Sequence, residues 1–176
     1  MIAARRGEEA KAVDHDSFVA LVEPLLPAAY RLAVAMLRSE TEAEDAVQEA
    51  VFNAWRHRGR FKAGSAMQPW LLATVANECR RLRRNRWWSV IKWPAGLEES
   101  TRQPVNDLPT VEGLRHAIQQ LPHDQRLVVV LRYYLDLPFD EVAQVLKTTP
   151  KAARSRTYRA LERLRLNPEV ISDERD

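Results

Sequence analysis

"PFDEVAQVLKTTPKAARSRTYRALERLR" (138–165) decides how this chain folds. Proline opens each of two apolar-periodic stretches, at 138 and 150, where a missing N–H is tolerated. Thr149 is a natural N-cap for the second stretch. The short "KTT" between Leu146 and Pro150 makes a tight corner. Two short helices, a three-to-four-residue turn and a basic second helix form the pattern of a helix-turn-helix.

Placed on a helical wheel, Ala153, Thr157, Ala160, Leu161 and Leu164 share one face and predict its core contact. Lys151, Arg154, Ser155, Tyr158, Arg159 and Arg165 cover the opposite side, with Arg156 and Arg163 on a flank. Residues 150–165 hold six bases against the single acid Glu162, so i,i+4 pairing cannot balance them. A solvated basic face near a helix C-terminus is the plainer account, since the dipole favours cations there. The bases begin in the first turn, however, where the dipole disfavours them. A polyanionic partner explains them better: some of these side chains read base edges and others hold phosphates.

Outward from this stretch the apolar spacing is helical almost throughout, and strand signals are nearly absent. The expected fold is all-α, with two small helical domains joined by a linker. Residues 16–39 carry a single apolar stripe, which Pro24 and Pro27 kink or split. Ser39 and Glu42 have capping-box spacing and start a second helix that ends before Gly59. A loop over 59–68 leads to a third helix near Pro69 that runs to Trp88. The pattern decays over 89–109, which reads as a linker. Helices return at 110–121 and 122–137. The expected bounds are thus a tail at 1–15, domains at 16–88 and 110–168, and a second tail at 169–176.

Charge is segregated along the chain. Residues 39–50 hold five acids and no base, whereas 80–92 hold six bases and no acid. Such blocks imply more than one charged partner surface. Arg80, Arg81, Arg83 and Arg84 close the helix that begins with Trp70, and Phe61 lies in the loop before it. Phosphate contacts beside stacking rings suit a single strand. Taken alone, Asn77 reads as an ordinary surface residue and Trp70 as core.

Other chemistries find little support. Cys79 is the sole cysteine, so no intrachain disulfide forms, which fits a reducing cytosol. The four histidines lack metal-ligand spacing, and no P-loop, GxSxG or GxGxxG is present; the expectation is no metal, no cofactor, no small-molecule substrate and no catalysis. The N-terminal stretch lacks the apolar core of a signal peptide. No apolar run is read as long enough to cross a bilayer, so no membrane insertion is expected.

"AEDAVQEAVFNAW" (43–55), "FKAGSAMQPWLLATVANECRR" (61–81), "LPHDQRLVVVLRYYLDLPFDEVAQVL" (121–146) and "RSRTYRALERLR" (154–165) together resemble bacterial sigma factors of the extracytoplasmic-function type. The resemblance spans about residues 16–166. It implies a protein that binds core RNA polymerase through the β′ clamp helices and the β flap, directs it to promoter DNA, and is held by an anti-sigma factor in the cytoplasm. Asp45, Gln48, Glu49, Phe52 and Trp55 would face the polymerase. Phe61, Lys62, Ser65, Met67, Trp70 and Asn77 would receive the opened −10 strand, with Arg80, Arg81 and Arg84 on its phosphates. Lys151, Arg154, Ser155, Arg156, Tyr158 and Arg159 would meet the −35 duplex.

Some positions depart from that pattern. Lys147 stands where a glycine is common, "KAA" replaces a common Gly-Thr-Val at 151–153, Met67 replaces an aromatic, and the loop has no acid. The alternative is a helix-turn-helix regulator that never joins polymerase. A helical adaptor with no DNA binding is a third reading.

Overall fold

The computed structural model describes residues 14–61, 66–92 and 111–166, and the side chains of 60, 85–92, 111 and 112 are outside that description. Most of the expected linker and tails, Lys62, Ser65, Trp93 and the rings of Trp87 and Trp88 therefore fall outside it.

Helix α1 (His15–Val22) is capped by Asp14, whose carboxylate accepts from the Ser17 amide at 3.0 Å. A 3₁₀ turn at Glu23–Leu25, holding Pro24, separates it from α2 (Leu26–Leu37), so the prolines split the stripe into two helices. Ser39 caps α3 (Glu40–Arg56), its Oγ accepting from the Glu42 amide at 3.2 Å. Along α3 the buried residues are Ala43, Ala46, Ala50 and Ala54. A stripe without bulk lets α2 and α4 (Met67–Lys92) approach it closely. Leu32, Met36, Leu71, Leu72 and Val75 fill the space between them and are almost wholly buried. Helix α4 carries on to Lys92, past the expected end of the first domain at 88.

The expectation about apolar length needs correction. His15–Leu37 has the length and the mean hydropathy, 1.5, of a bilayer span. In the structure it is two helices, and Leu32, Ala33, Met36 and Leu37 pack into the helical core.

The second half comprises α5 (Val111–Gln120), α6 (His123–Val129), α7 (Phe139–Val145) and α8 (Pro150–Arg165). Residues 122–137 are not one regular helix. After α6 the chain widens into a π turn over Val130–Tyr134, where the Leu135 amide donates to Val130 O at 3.0 Å. The turn keeps Val130 and Leu131 buried while leaving Tyr133 and Tyr134 outside. Helix α8 packs on α6 and α7, and Val128, Leu131, Val142, Ala153 and Ala160 form the core between them.

The two halves do not hang free of each other. Helix α7 rests on α4, and α2 touches both α6 and the π turn.

Candidate nucleic-acid interface

Helix α8 presents the surface expected of it. Thr149 Oγ1 accepts from the Ala152 amide at 3.2 Å and Pro150 takes the first helical position. Lys147 holds the corner in the left-handed region at φ 51°, the conformation that favours glycine. Ala153, Thr157, Ala160 and Leu164 are buried. The Thr157 hydroxyl donates back to Ala153 O at 2.9 Å, so its polar atom is satisfied inside. Lys151, Arg154, Ser155, Tyr158 and Arg159 are exposed and Arg156 is half-buried. Tyr158, 65 % exposed, stands out between the arginines. The Arg154 guanidinium lies 5.3 Å from the Phe139 ring centroid, and Arg159 Nε donates to Ser155 O at 3.4 Å. These contacts aim two cations away from the core.

On α4 the picture is mixed. Phe61 and Trp70 are half-buried and meet at a tilt of 52°, ring centroids 5.6 Å apart. Asn77 and Arg84 are exposed. Met67 differs from the exposed position expected of a strand contact: at 7 % exposed it packs in the core. Lys62 and Ser65 lie outside the described residues. Arg81 Nε donates to Glu78 Oε2 at 2.6 Å. Glu78 Oε1 accepts from Asn53 of α3 at 3.1 Å. The Glu78 carboxylate also holds the Arg81 pKa above its usual value. Arg80 Nη2 pairs with Asp124 Oδ1 of α6 at 2.6 Å.

The acidic face of α3 exposes Asp45, Gln48, Glu49 and Phe52. Asp45, Gln48, Glu49 and Phe52 line a groove that also reaches Arg81 and Leu82. Trp55 is half-buried. Its ring meets Phe18 edge-on at 5.3 Å and carries the Arg58 guanidinium at 3.7 Å, so most of it serves the domain itself.

Sequence reasoning missed Asn53 and Glu78, which tie α3 to α4, and Asp124, His123 and Arg126, which join the halves. An acid three residues before Arg81 was the only local signal for Glu78. Burial lifts the Cys79 thiol to about 12, so it is a packing residue rather than a nucleophile.

Comparison with known proteins agrees with this geometry. Residues 21–89 match the family model for Sigma-70 region 2, and residues 112–164 match that for Sigma-70, region 4. The chain is 31% identical over 157 residues to RNA polymerase sigma factor CarQ of Myxococcus xanthus, covering 85% of this chain and 88% of that protein. It is 26% identical over 179 residues to ECF RNA polymerase sigma factor SigW of Bacillus subtilis, covering 94% and 96% of the two chains. Among solved structures it resembles the sigma factor RpoE, crystallised with the anti-sigma factor NepR, from Bartonella quintana. That match has a TM-score of 0.72 at 25% identity and covers 92% of this chain and 100% of the other. With both regions matched in order on an all-helical fold, the chain belongs to the sigma-70 family as an extracytoplasmic-function sigma factor, and it acts with RNA polymerase in promoter-specific transcription initiation.

Proposed function

We propose that the surfaces divide the work of initiation as follows. Helix α8 lies in the major groove of the upstream promoter element. Arg154, Ser155, Tyr158 and Arg159 meet base edges, while Lys151 and Arg156 hold flanking phosphates. The observation that carries this reading is the exposed basic face beginning in the first turn of α8. Phe61, Trp70 and Asn77 receive a base taken out of the downstream element, and Lys62 and Ser65 join them in holding the strand. Extrusion costs a few kcal/mol, which a shaped aromatic site offsets. Arg80, Arg81 and Arg84 neutralise the strand's phosphates, and each contact adds salt dependence.

Asp45, Gln48, Glu49 and Phe52 form the face for core polymerase, in keeping with acids around an exposed ring. Trp55 braces that face from behind. The stretches 16–88 and 110–168 are the two working domains, a reading in keeping with the family matches at 21–89 and 112–164. Sigma factors are generally regulators without catalysis of their own, and this one works in the cytoplasm beside the polymerase. An anti-sigma factor is its natural restraint; RpoE of Bartonella quintana, of similar fold, was crystallised in complex with the anti-sigma factor NepR.

Run-off transcription with core polymerase on a promoter library tests the reading. The wild-type chain directs initiation from a defined set of templates. Asp45→Lys loses polymerase binding, and Arg159→Ala keeps polymerase binding but loses upstream recognition. Wild-type output from both variants would refute the assignment.

A further inference from the structure

The first turn of α6 lies against both α2 and α4. Asp124 pairs with Arg80 at 2.6 Å, and the next basic residue on that face, Arg83, meets His123 Nδ1 at 3.3 Å. Arg126, 4 % exposed, donates to Met36 O at the end of α2 at 3.2 Å. It also donates to Gln119 O and Leu121 O within its own half. The Arg31 guanidinium of α2 lies 5.9 Å from the Tyr134 ring centroid of the π turn. The junction is therefore built of charged and polar groups rather than of apolar packing alone.

It is also imperfect. His123 Nε2, Gln125 Oε1 and Arg126 Nε are buried with no hydrogen-bond partner. Each buried orphan weakens the contact relative to one fully satisfied. Burial first, and then the neighbouring cations Arg83 and Arg38, pull the Arg126 pKa down to about 10. A junction made this way closes but does not lock.

We propose that Asp124 acts as an internal stand-in for a DNA phosphate: in the free chain it occupies Arg80, and the opened strand gains that guanidinium only when α6 lifts from α4. This rests on the reading of Arg80 as a phosphate contact. A carboxylate and a phosphate oxygen present the same acceptor chemistry to a guanidinium, so the two occupancies exclude each other. The pair is about half exposed on both sides, so its release changes affinity modestly, about two- to fivefold.

The test uses the full chain without polymerase, labelled at Glu44→Cys and Gln144→Cys; buried Cys79 stays unlabelled. Energy transfer reports the separation of the halves, and a short fluorescent single-stranded oligonucleotide reports binding. Asp124→Ala lengthens the mean separation and tightens oligonucleotide binding two- to fivefold. Arg80→Asp alone also opens the chain, and Arg80→Asp with Asp124→Arg restores the closed distance. The distance rescue shows pairing rather than misfolding. Unchanged separation and unchanged affinity in Asp124→Ala would overturn the proposal, and so would opening without tighter binding. Failure of the site reading looks different: neither wild type nor variant then binds the oligonucleotide, whatever the separation.

Discussion

Helices α4 and α8 are both rich in arginine, yet they hold their charge in different company. On α8 the outward cations, among the described residues, meet their own neighbourhood: Arg154 lies over Phe139, Arg159 reaches a carbonyl one turn back, and Arg165 at the far end sits 3.8 Å from Glu162. On α4 two of the cations are already matched to acids, Arg81 to Glu78 in the same helix and Arg80 to Asp124 in the other half. A duplex can dock on α8 with little displaced. A strand approaching α4 competes with a carboxylate at Arg80. On the proposed assignment, the upstream surface is thus ready in the free chain, whereas the downstream surface is ready only in part.

The heaviest test of this contrast strikes the support rather than the charges. Leu131 is fully buried beside α8, and Leu131→Ala should destabilise the second half by about 3 kcal/mol. Thermal melting followed by circular dichroism shows whether the first half melts with it. One shared transition means the junction couples the halves; two separate ones mean it does not.

Next come the cations themselves. Arg159→Ala should weaken binding of upstream duplex by about 1–3 kcal/mol, measured by fluorescence anisotropy. Arg80→Ala should cost the free chain less on its own strand, because the wild-type residue is already engaged. Equal losses would erase the distinction between the helices.

Smaller effects sit at the corner before α8. Thr149→Ala removes the cap on the Ala152 amide and should lower stability by about 1 kcal/mol. Lys147→Gly relieves a left-handed residue and should raise stability by about 0.5–1 kcal/mol, read from denaturant midpoints. Neither substitution should alter α4.

The slightest expected change is with pH. His123 faces Arg80 and Arg83 from α4 and Asp124 and Arg126 from its own helix; burial first, then those arginines, push its pKa down to about 4. The closed junction therefore favours neutral imidazole. Its contribution is intact above the ordinary histidine value near 6.5 and is lost as pH falls from there toward 4. The separation of labelled halves should lengthen across that window, and His123→Ala should flatten the dependence.

What could be read beforehand follows the range of the forces involved. Ser39 and Thr149 announce their helices because a cap acts over three residues. The split at Pro24 and the buried face of α8 are equally local. The π turn at Val130–Tyr134 is invisible because its residues keep helical character while one hydrogen bond shifts by a residue. The alanine stripe of α3 was legible only as periodicity; its meaning depends on which helices come near. Met67 read as a loop residue because nothing local marks the start of α4 two residues before Pro69. The junction was hidden for a stronger reason: Arg80 and Asp124 are 44 positions apart, and neither carries a mark of the other. That same separation allowed the halves to be read as independent lobes.

The bracing of Arg81 has a further consequence. Its guanidinium is fixed by Glu78, which Asn53 holds from the neighbouring helix, and the acids Asp45 and Glu49 of that helix line the same groove. A flexible arginine gives up rotational freedom whenever it grips a ligand. Here much of that freedom disappears as the protein folds, so on the proposed reading an arriving nucleotide meets a fork already oriented, and whatever docks in the groove it shares with α3 would turn it.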